Sequence, residues 1–222
     1  MKKVLYVILH TQNQADRYNN IVSTWGRNVD YVFISDHEDI KNNIVKASEN
    51  STYESCEEKQ VGYLNTLSLL PLKYDFYFFC SNDNFVNTKK MDEFIQSCET
   101  HCVWGELDNC WPEDKSLNFT LGGSGILISK DVISQIHGTM EWGNGRHPSW
   151  FPSDVSMAIN FKKKNIEMKN SELFHHQSFE DWWNLHKQQE KIEYLEIKNH
   201  ISFHNIIDFE TMNLYNQSCN LL

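Results

Sequence analysis

Basic residues are in short supply in this chain: 20 Lys and Arg stand against 30 Asp and Glu, a net charge of −10 with histidine neutral. A non-specific grip on nucleic acid or on anionic lipid is not expected, so any anion is held in a local site. Long apolar runs are also missing. Val4-Leu5-Tyr6-Val7-Ile8-Leu9, after Met1, Lys2 and Lys3, stops at His10-Thr11-Gln12-Asn13 without a small-residue cleavage site. It is too short to span a bilayer and does not read as a signal peptide. Four prolines and nine glycines leave no linker, and there is no repeat or low-complexity tract. At about 150 residues per domain, residues 1–222 make a single domain. The six cysteines lack any export signal around them, and reduced thiols are expected.

What is present is the material of a packed core: 40% hydrophobic and 23% charged residues. Val4–Leu9 reads as a buried central strand, followed by a helix over Asp16–Trp25 and a strand over Tyr31–Ile34. A helix over Glu54–Leu70 stops at Pro71. Asp75–Cys80 is an aromatic strand running into Ser81-Asn82-Asp83-Asn84, and Met91–Cys102 is helix-like. Gly122-Gly123-Ser124-Gly125 opens a strand over Ile126–Ile128, followed by a helix over Lys130–His137. A loop over Glu141–Pro152, carrying Trp142 and Trp150, precedes a helix over Asp154–Lys162. This alternation predicts an α/β fold with a mostly parallel central sheet flanked by helices. Ligands of such sheets bind at strand carboxyl ends, which singles out Thr11, Asp36 and Asp83.

Asp83 follows a fully apolar strand and could hold a divalent cation that keeps open positions for phosphate. The bland reading of Asn82-Asp83-Asn84 is a turn stabilised by side-chain to backbone bonds. His175-His176 offers imidazole ligands, but adjacent residues of an extended segment face opposite ways, so one at most reaches a given metal. His204 carries the same ambiguity. Cys98, His101, Cys102 and Cys110 lack the second C-x-x-C pair of a zinc site. Asp154 is either a helix N-cap or a general base. The glycine run lacks the Lys-Ser/Thr of a phosphate loop and precedes a strand, so its expected use is close approach of a substrate to the backbone. Trp142, Trp150, Trp182 and Trp183 are core or sugar-stacking faces.

In order along the chain, these segments resemble the Fringe-like and β1,3-galactosyltransferase-related family of inverting glycosyltransferases, from Val4 to about Asn205. Thr11, Arg17, Ile21 and Thr24-Trp25 resemble its opening strand and helix. Phe33-Ile34-Ser35-Asp36 resembles F-I-F-T-D, and Lys59 falls where the family places a lysine. Phe78 to Val86 resembles the strand that runs into D-D-D-T-Y-V, and Leu121 to Ser129 resembles T-G-G-A-G-x-x-I-S. Pro152-Ser153-Asp154-Val155 stands where P-D-D or P-E-D-V is found, and Leu173-Phe174-His175-His176-Gln177 where L-F-H-S-H or F-H-S-Q is found.

The resemblance implies a glycosyltransferase A-type, Rossmann-like fold and a UDP-sugar donor, with manganese or magnesium as cofactor. It also implies a glycan or other hydroxyl acceptor and a β1,3 linkage. It assigns metal binding to Asp83 with His175 or His176, and surroundings of the uridine diphosphate to Thr11, Arg17, Asp36, Lys59 and Asn82. Gly123 and Ser124 would border acceptor and transferred sugar, and Asp154 would be the base. Ser81, Asn82 and Ser153 replace acids of the family pattern, which weakens the expected hold on metal. The family's membrane anchor and stem are not seen, and a cytoplasmic enzyme is expected. The rival expectation is a catalytically silent nucleotide-sugar or glycan-binding module. A nucleotidyltransferase would need a glycine- and lysine-rich opening loop, which is not seen.

Overall fold

A computed structural model describes residues 1–141, 152–187 and 191–220. The expected loop with Trp142 and Trp150 therefore falls almost wholly outside the described residues. In chain order the first half carries β1 (Val4–Leu9), α1 (Ala15–Ser23), β2 (Tyr31–Ser35), β3 (Ile44–Lys46), α2 (Cys56–Ser68), β4 (Phe76–Ser81), β5 (Phe85–Val86) and α3 (Thr88–Ser97). The second half carries β6 (Cys102–Gly105), β7 (Leu107–Asp108), β8 (Phe119–Thr120), β9 (Ile126–Ser129), α4 (Lys130–Ile136), α5 (Ser153–Lys163), β10 (Glu167–Asn170), α6 (Phe179–Lys187), β11 (Ser202–Phe203) and α7 (Phe209–Asn220).

Seven strands form one sheet in the order β10-β6-β9-β4-β1-β2-β3. Neighbours pair in parallel except β9, which runs antiparallel to both β4 and β6. The central strands are apolar because both faces are covered. In β4, Phe76, Phe78 and Cys80 join a core with Ile21 of α1, Met91 of α3, Trp183 of α6 and Tyr215 of α7. Tyr77 and Phe79, pointing the other way, join Val61 and Leu64 of α2, Ile133 of α4 and Phe161 of α5. Local signals start the helices where they stand. Asn87 accepts a hydrogen bond from Lys90 N at 3.1 Å ahead of α3, and Ser129 from Val132 N at 3.2 Å ahead of α4.

The helix expected over Met91–Cys102 ends at Ser97, and Cys102 instead begins β6. Strand β10 was not expected at all. Its sequence, Glu-Met-Lys-Asn, sits at the sheet edge, where solvent tolerates charge and no apolar run marks it.

Gly125, just before β9, has φ +84°, and a Cβ there would lie 2.2 Å from Cζ of Phe78. Gly125→Ala is expected to destabilise the fold by about 2–5 kcal/mol, since it combines backbone strain with overpacking of a full core. Urea unfolding measures this, and a loss below about 1 kcal/mol would show that the ring has room to move.

Candidate active site

The registry of the sheet assembles the site. Leu9 stands opposite both Ile34 and Ser81, so His10-Thr11, Ser35-Asp36 and Asn82-Asp83 emerge side by side at one edge. Because β9 is reversed, its amino end, with Ile126 opposite Phe79, lies at that same edge. The glycine run before β9 joins the site for this reason. Antiparallel β5 and β11 add the last piece: with Phe203 opposite Phe85, the residues past β11 fold back over the turn after β4. Ile206 N donates to Asp83 O at 2.8 Å.

These ends surround a cleft of about 810 Å³. Asp83 Oδ2 lies 3.3 Å from Arg17 Nη1, which also donates to Asn82 Oδ1 at 3.2 Å. Asp83 Oδ1 is buried and accepts no hydrogen bond, although His204 Nε2 stands 3.2 Å away. Burial by itself raises the Asp83 carboxyl pKa; His204, Ser81 and Arg17 outweigh it and hold the group below the usual carboxylate range. The His204 ring is oriented from behind, where Nδ1 stands 3.2 Å from the carbonyl oxygen of His176. A carbonyl only accepts, so Nδ1 carries a hydrogen and the ring turns Nε2 toward Asp83.

Asn82 is buried, and its Nδ2 donates to His10 Nδ1 at 3.1 Å and to Gln14 Oε1 at 2.8 Å. Asn84 shapes the turn: its Oδ1 accepts from Ser81 N at 2.8 Å and its Nδ2 donates to Gly123 O at 2.7 Å. The turn reading of this segment holds on Asn84. Lys59, 1% exposed, donates from Nζ to His10 O at 3.3 Å and lies 4.0 Å from Asp36 Oδ1. Burial lowers the Lys59 pKa. Asp36 ends below its ordinary value because the Gln12 N–H, bonded at 3.0 Å, and its other donors outweigh burial. Thr11 lines the cleft and its hydroxyl bonds Asn13 Oδ1. Asp36 stands at the same edge without lining the cavity.

Across the cleft, Asp154 opens α5. Its Oδ2 accepts from Gly122 N at 2.9 Å and its Oδ1 from Val155 N at 2.8 Å. Burial raises its pKa and outweighs these bonds. Gly122 and Gly123 line the cleft, and both meet groups of the protein itself. A Cβ on Gly123 would lie 2.7 Å from Nδ1 of His204, and one on Gly122 would lie 3.2 Å from Oδ2 of Asp154. The missing side chains make room for the protein's own His204 and Asp154. Ser124, expected to border the substrates, is fully buried and donates to Leu121 O at 2.7 Å, which fixes the shape of the loop.

The structure does not bring the histidine pair to Asp83. The two do face opposite ways, but neither lines the cleft. His175 is buried, bonded through Nε2 to His200 Nδ1 at 2.8 Å and stacked on Phe203 at 4.6 Å. His176 Nδ1 pairs with Glu106 at 2.9 Å. His204 occupies the place expected of them, delivered by long-range strand pairing that no local spacing reveals. Cys56, Lys59 and Gln60, at i, i+3 and i+4 of α2, also line the cleft. Of these, Cys56 and Gln60 escaped sequence reading, although their helical spacing was a usable signal. Trp182 packs at the edge of the core and Trp183 within it. Among the described residues, no group of three or more His, Cys, Asp or Glu is placed to hold a metal, the Cys98 set included.

A mostly parallel sheet with one reversed strand, helices on both faces and a polar cleft at the strand ends defines the glycosyltransferase A-type fold. No family model and no curated protein matches the chain. Among solved structures it is similar to a glycosyltransferase involved in the glycosylation of the major capsid of PBCV-1, with TM-score 0.55 and 7% identity, covering 99% of this chain and 100% of that one. It is similar also to the galactosyltransferase LgtC, solved with donor and acceptor sugar analogs, with TM-score 0.57, 11% identity and coverage of 98% and 96%. A third is GlyE of Streptococcus pneumoniae TIGR4, with TM-score 0.55 and 10% identity; 93% of this chain matches 55% of GlyE. At these identities the likeness is one of fold. Among the described residues no helix is long and apolar enough to cross a membrane.

His10, His175 and His200 are kept neutral chiefly by burial, which lowers their pKa values to about 4, 3 and 4. An unfolded histidine titrates near 6.5. As pH falls through the window from about 6.5 to about 4, the unfolded chain takes up protons that the folded chain refuses, so stability must fall. Urea unfolding from pH 7.5 to 4.5 is expected to show this decline. The double variant His175→Phe, His200→Phe, which removes both halves of the bonded pair, should make it shallower by up to two protons. An unaltered slope would show that the pair is not buried as neutral imidazole.

Proposed function

We propose that this chain is an inverting glycosyltransferase that moves a hexose or N-acetylhexosamine from a UDP-sugar to a hydroxyl of a glycan or glycoconjugate. The observation that carries the reading is the Asp83–His204 pair. A carboxylate Oδ1 without a hydrogen bond and an Nε2 whose ring carries a hydrogen on Nδ1 face each other at 3.2 Å in the cleft. Bare lone pairs at that separation repel unless a proton or a cation stands between them. Adjacent ligands of an octahedral ion, each about 2.1 Å from it, are about 3 Å apart. The pair therefore fits a manganese or magnesium ion, with the carbonyl behind His204 as the usual orienting partner of a metal-bound imidazole.

Asp83 and His204 would hold the ion, which when bound offsets the charge that gathers on the departing diphosphate. The rest is work for the chain's own groups. Arg17 and Lys59 set positive charge beside the diphosphate, and Thr11, Asp36 and Asn82 border the nucleotide. Asp154, its basicity increased by burial, takes the proton from the acceptor hydroxyl. That oxygen bonds to the anomeric carbon from the face opposite the diphosphate, and the electron pair of the breaking bond leaves with UDP. One displacement inverts the centre. The β1,3 linkage rests on the sequence resemblance alone.

Asp154→Asn is expected to lower turnover roughly 10²–10⁴-fold with UDP-sugar affinity nearly intact. Release of UDP from UDP-GlcNAc, UDP-Gal and UDP-Glc reads it, and an unchanged rate rejects Asp154 as base. A wild type that binds these donors but never turns them over supports the silent module.

Calorimetry of UDP with and without manganese separates the histidines. Asp83→Asn and His204→Ala should each weaken the manganese-dependent affinity about tenfold or more, and His175→Phe should leave it unchanged. The reverse ranking would return the metal to His175.

A further inference from the structure

We infer that Gln60 is the residue that recognises the transferred sugar of the donor: its side-chain amide pairs with a sugar hydroxyl and helps to set which sugar is taken. This deepens the proposed function and rests on the cleft being a nucleotide-sugar site. Gln60 is 6% exposed and lines the cleft, yet its Oε1 is buried without a hydrogen-bond partner among the described residues. A buried, unpaired amide oxygen is costly to a fold and calls for a partner that arrives with a ligand. If the amide is turned by 180°, its Nε2 takes the same place, and a partner is still required. A sugar hydroxyl both donates and accepts, and so serves either orientation. A phosphate oxygen only accepts.

The neighbours on α2 place this demand near the reacting centre. Cys56, one turn before Gln60, keeps its thiol neutral, since burial lifts its pKa to about 11, and it lies within the field of Asp83. Tyr53, just ahead of the helix and also lining the cleft, feels both Asp154 and Asp83. Lys59 is engaged with His10 O and lies near Asp36 at the nucleotide end. Lys59, Cys56, Tyr53 and Gln60 thus line the same cleft as Asp83 and Asp154, and Gln60 is the unsatisfied polar group among these four.

The test is calorimetric titration of wild type and Gln60→Leu, in manganese, with UDP, UDP-glucose, UDP-galactose and UDP-GlcNAc. Gln60→Leu should bind UDP within about twofold of wild type and at least one of the three UDP-sugars about 10- to 100-fold more weakly, the range expected for one lost buried hydrogen bond. Its ligand-free melting temperature should equal or exceed that of wild type, because no partner in the protein is lost. Gln60→Met, nearer in shape, must give the same pattern and stands in if the leucine variant does not fold. Equal weakening of UDP and the UDP-sugars would move the contact to the nucleotide and overturn the assignment. So would unchanged affinity for all four, or a lowered melting temperature without selective loss of sugar binding. A wild type that binds none of the four defeats the nucleotide-sugar reading itself, an outcome distinct from an indifferent variant.

Discussion

The approach of His204 Nε2 to Asp83 Oδ1, at 3.2 Å, constrains everything around it. The imidazole reaches that place only because β11 pairs with β5 directly after the Asp83 turn, and because position 123 carries no Cβ. Its tautomer is set by the His176 carbonyl. The glycine loop is tied to the turn by Asn84 and to β11 by Ser202 Oγ, which donates to Ser124 O at 2.5 Å. A shift of any one of these would separate two groups whose only reason to face each other is a shared positive charge.

That charge is local in a chain of net charge −10. Asp83 divides its carboxylate between Arg17 on one oxygen and the His204 side on the other. Asn82 is neutral and links Arg17 to His10 and Gln14. An aspartate at this position would place a second negative charge against the buried, neutral His10 and would pull Arg17 away from Asp83. The surrounding network therefore suits the amide. It leaves the cleft with less negative charge than an all-acid run would have, which favours entry of a diphosphate.

How much of this was legible in the sequence divides along physical lines. Val4–Leu9 stands as read, and the strand read over Asp75–Cys80 lies within one residue of β4, because burial on both faces leaves an unbroken apolar run. The strand ends at Thr11, Asp36 and Asp83 followed from that and from the habit of parallel sheets. Strand β10 was invisible because edge position removes the apolar signal, and β6 because a helical pattern ran into it. His204 and His175 could not be ranked, since their difference lies in β5–β11 pairing between residues far apart in the chain. Glycine at positions 122 and 123 was recognised as a device for close approach. The protein's own His204 and Asp154 are among the groups that come close there, and both glycines line the cleft.

Three buried side-chain atoms among the described residues have no hydrogen-bond partner: Tyr6 Oη, Gln60 Oε1 and Asp83 Oδ1. They are not equivalent. Tyr6 lies in the aromatic core against Trp25 and Phe78, where nothing polar can enter, and burial simply drives its pKa up. Gln60 and Asp83 both line the cleft at the sheet edge. An unmet demand in the core is a cost of packing a large aromatic ring. An unmet demand facing a cavity has stability withheld from the folded chain that a ligand can restore on binding, and two such demands in one cavity select ligands with two different partners to offer. Under the proposed function a cation answers Asp83 and a hydroxyl answers Gln60. In that reading a nucleotide diphosphate sugar with a metal ion on its diphosphate would bring both partners in one complex.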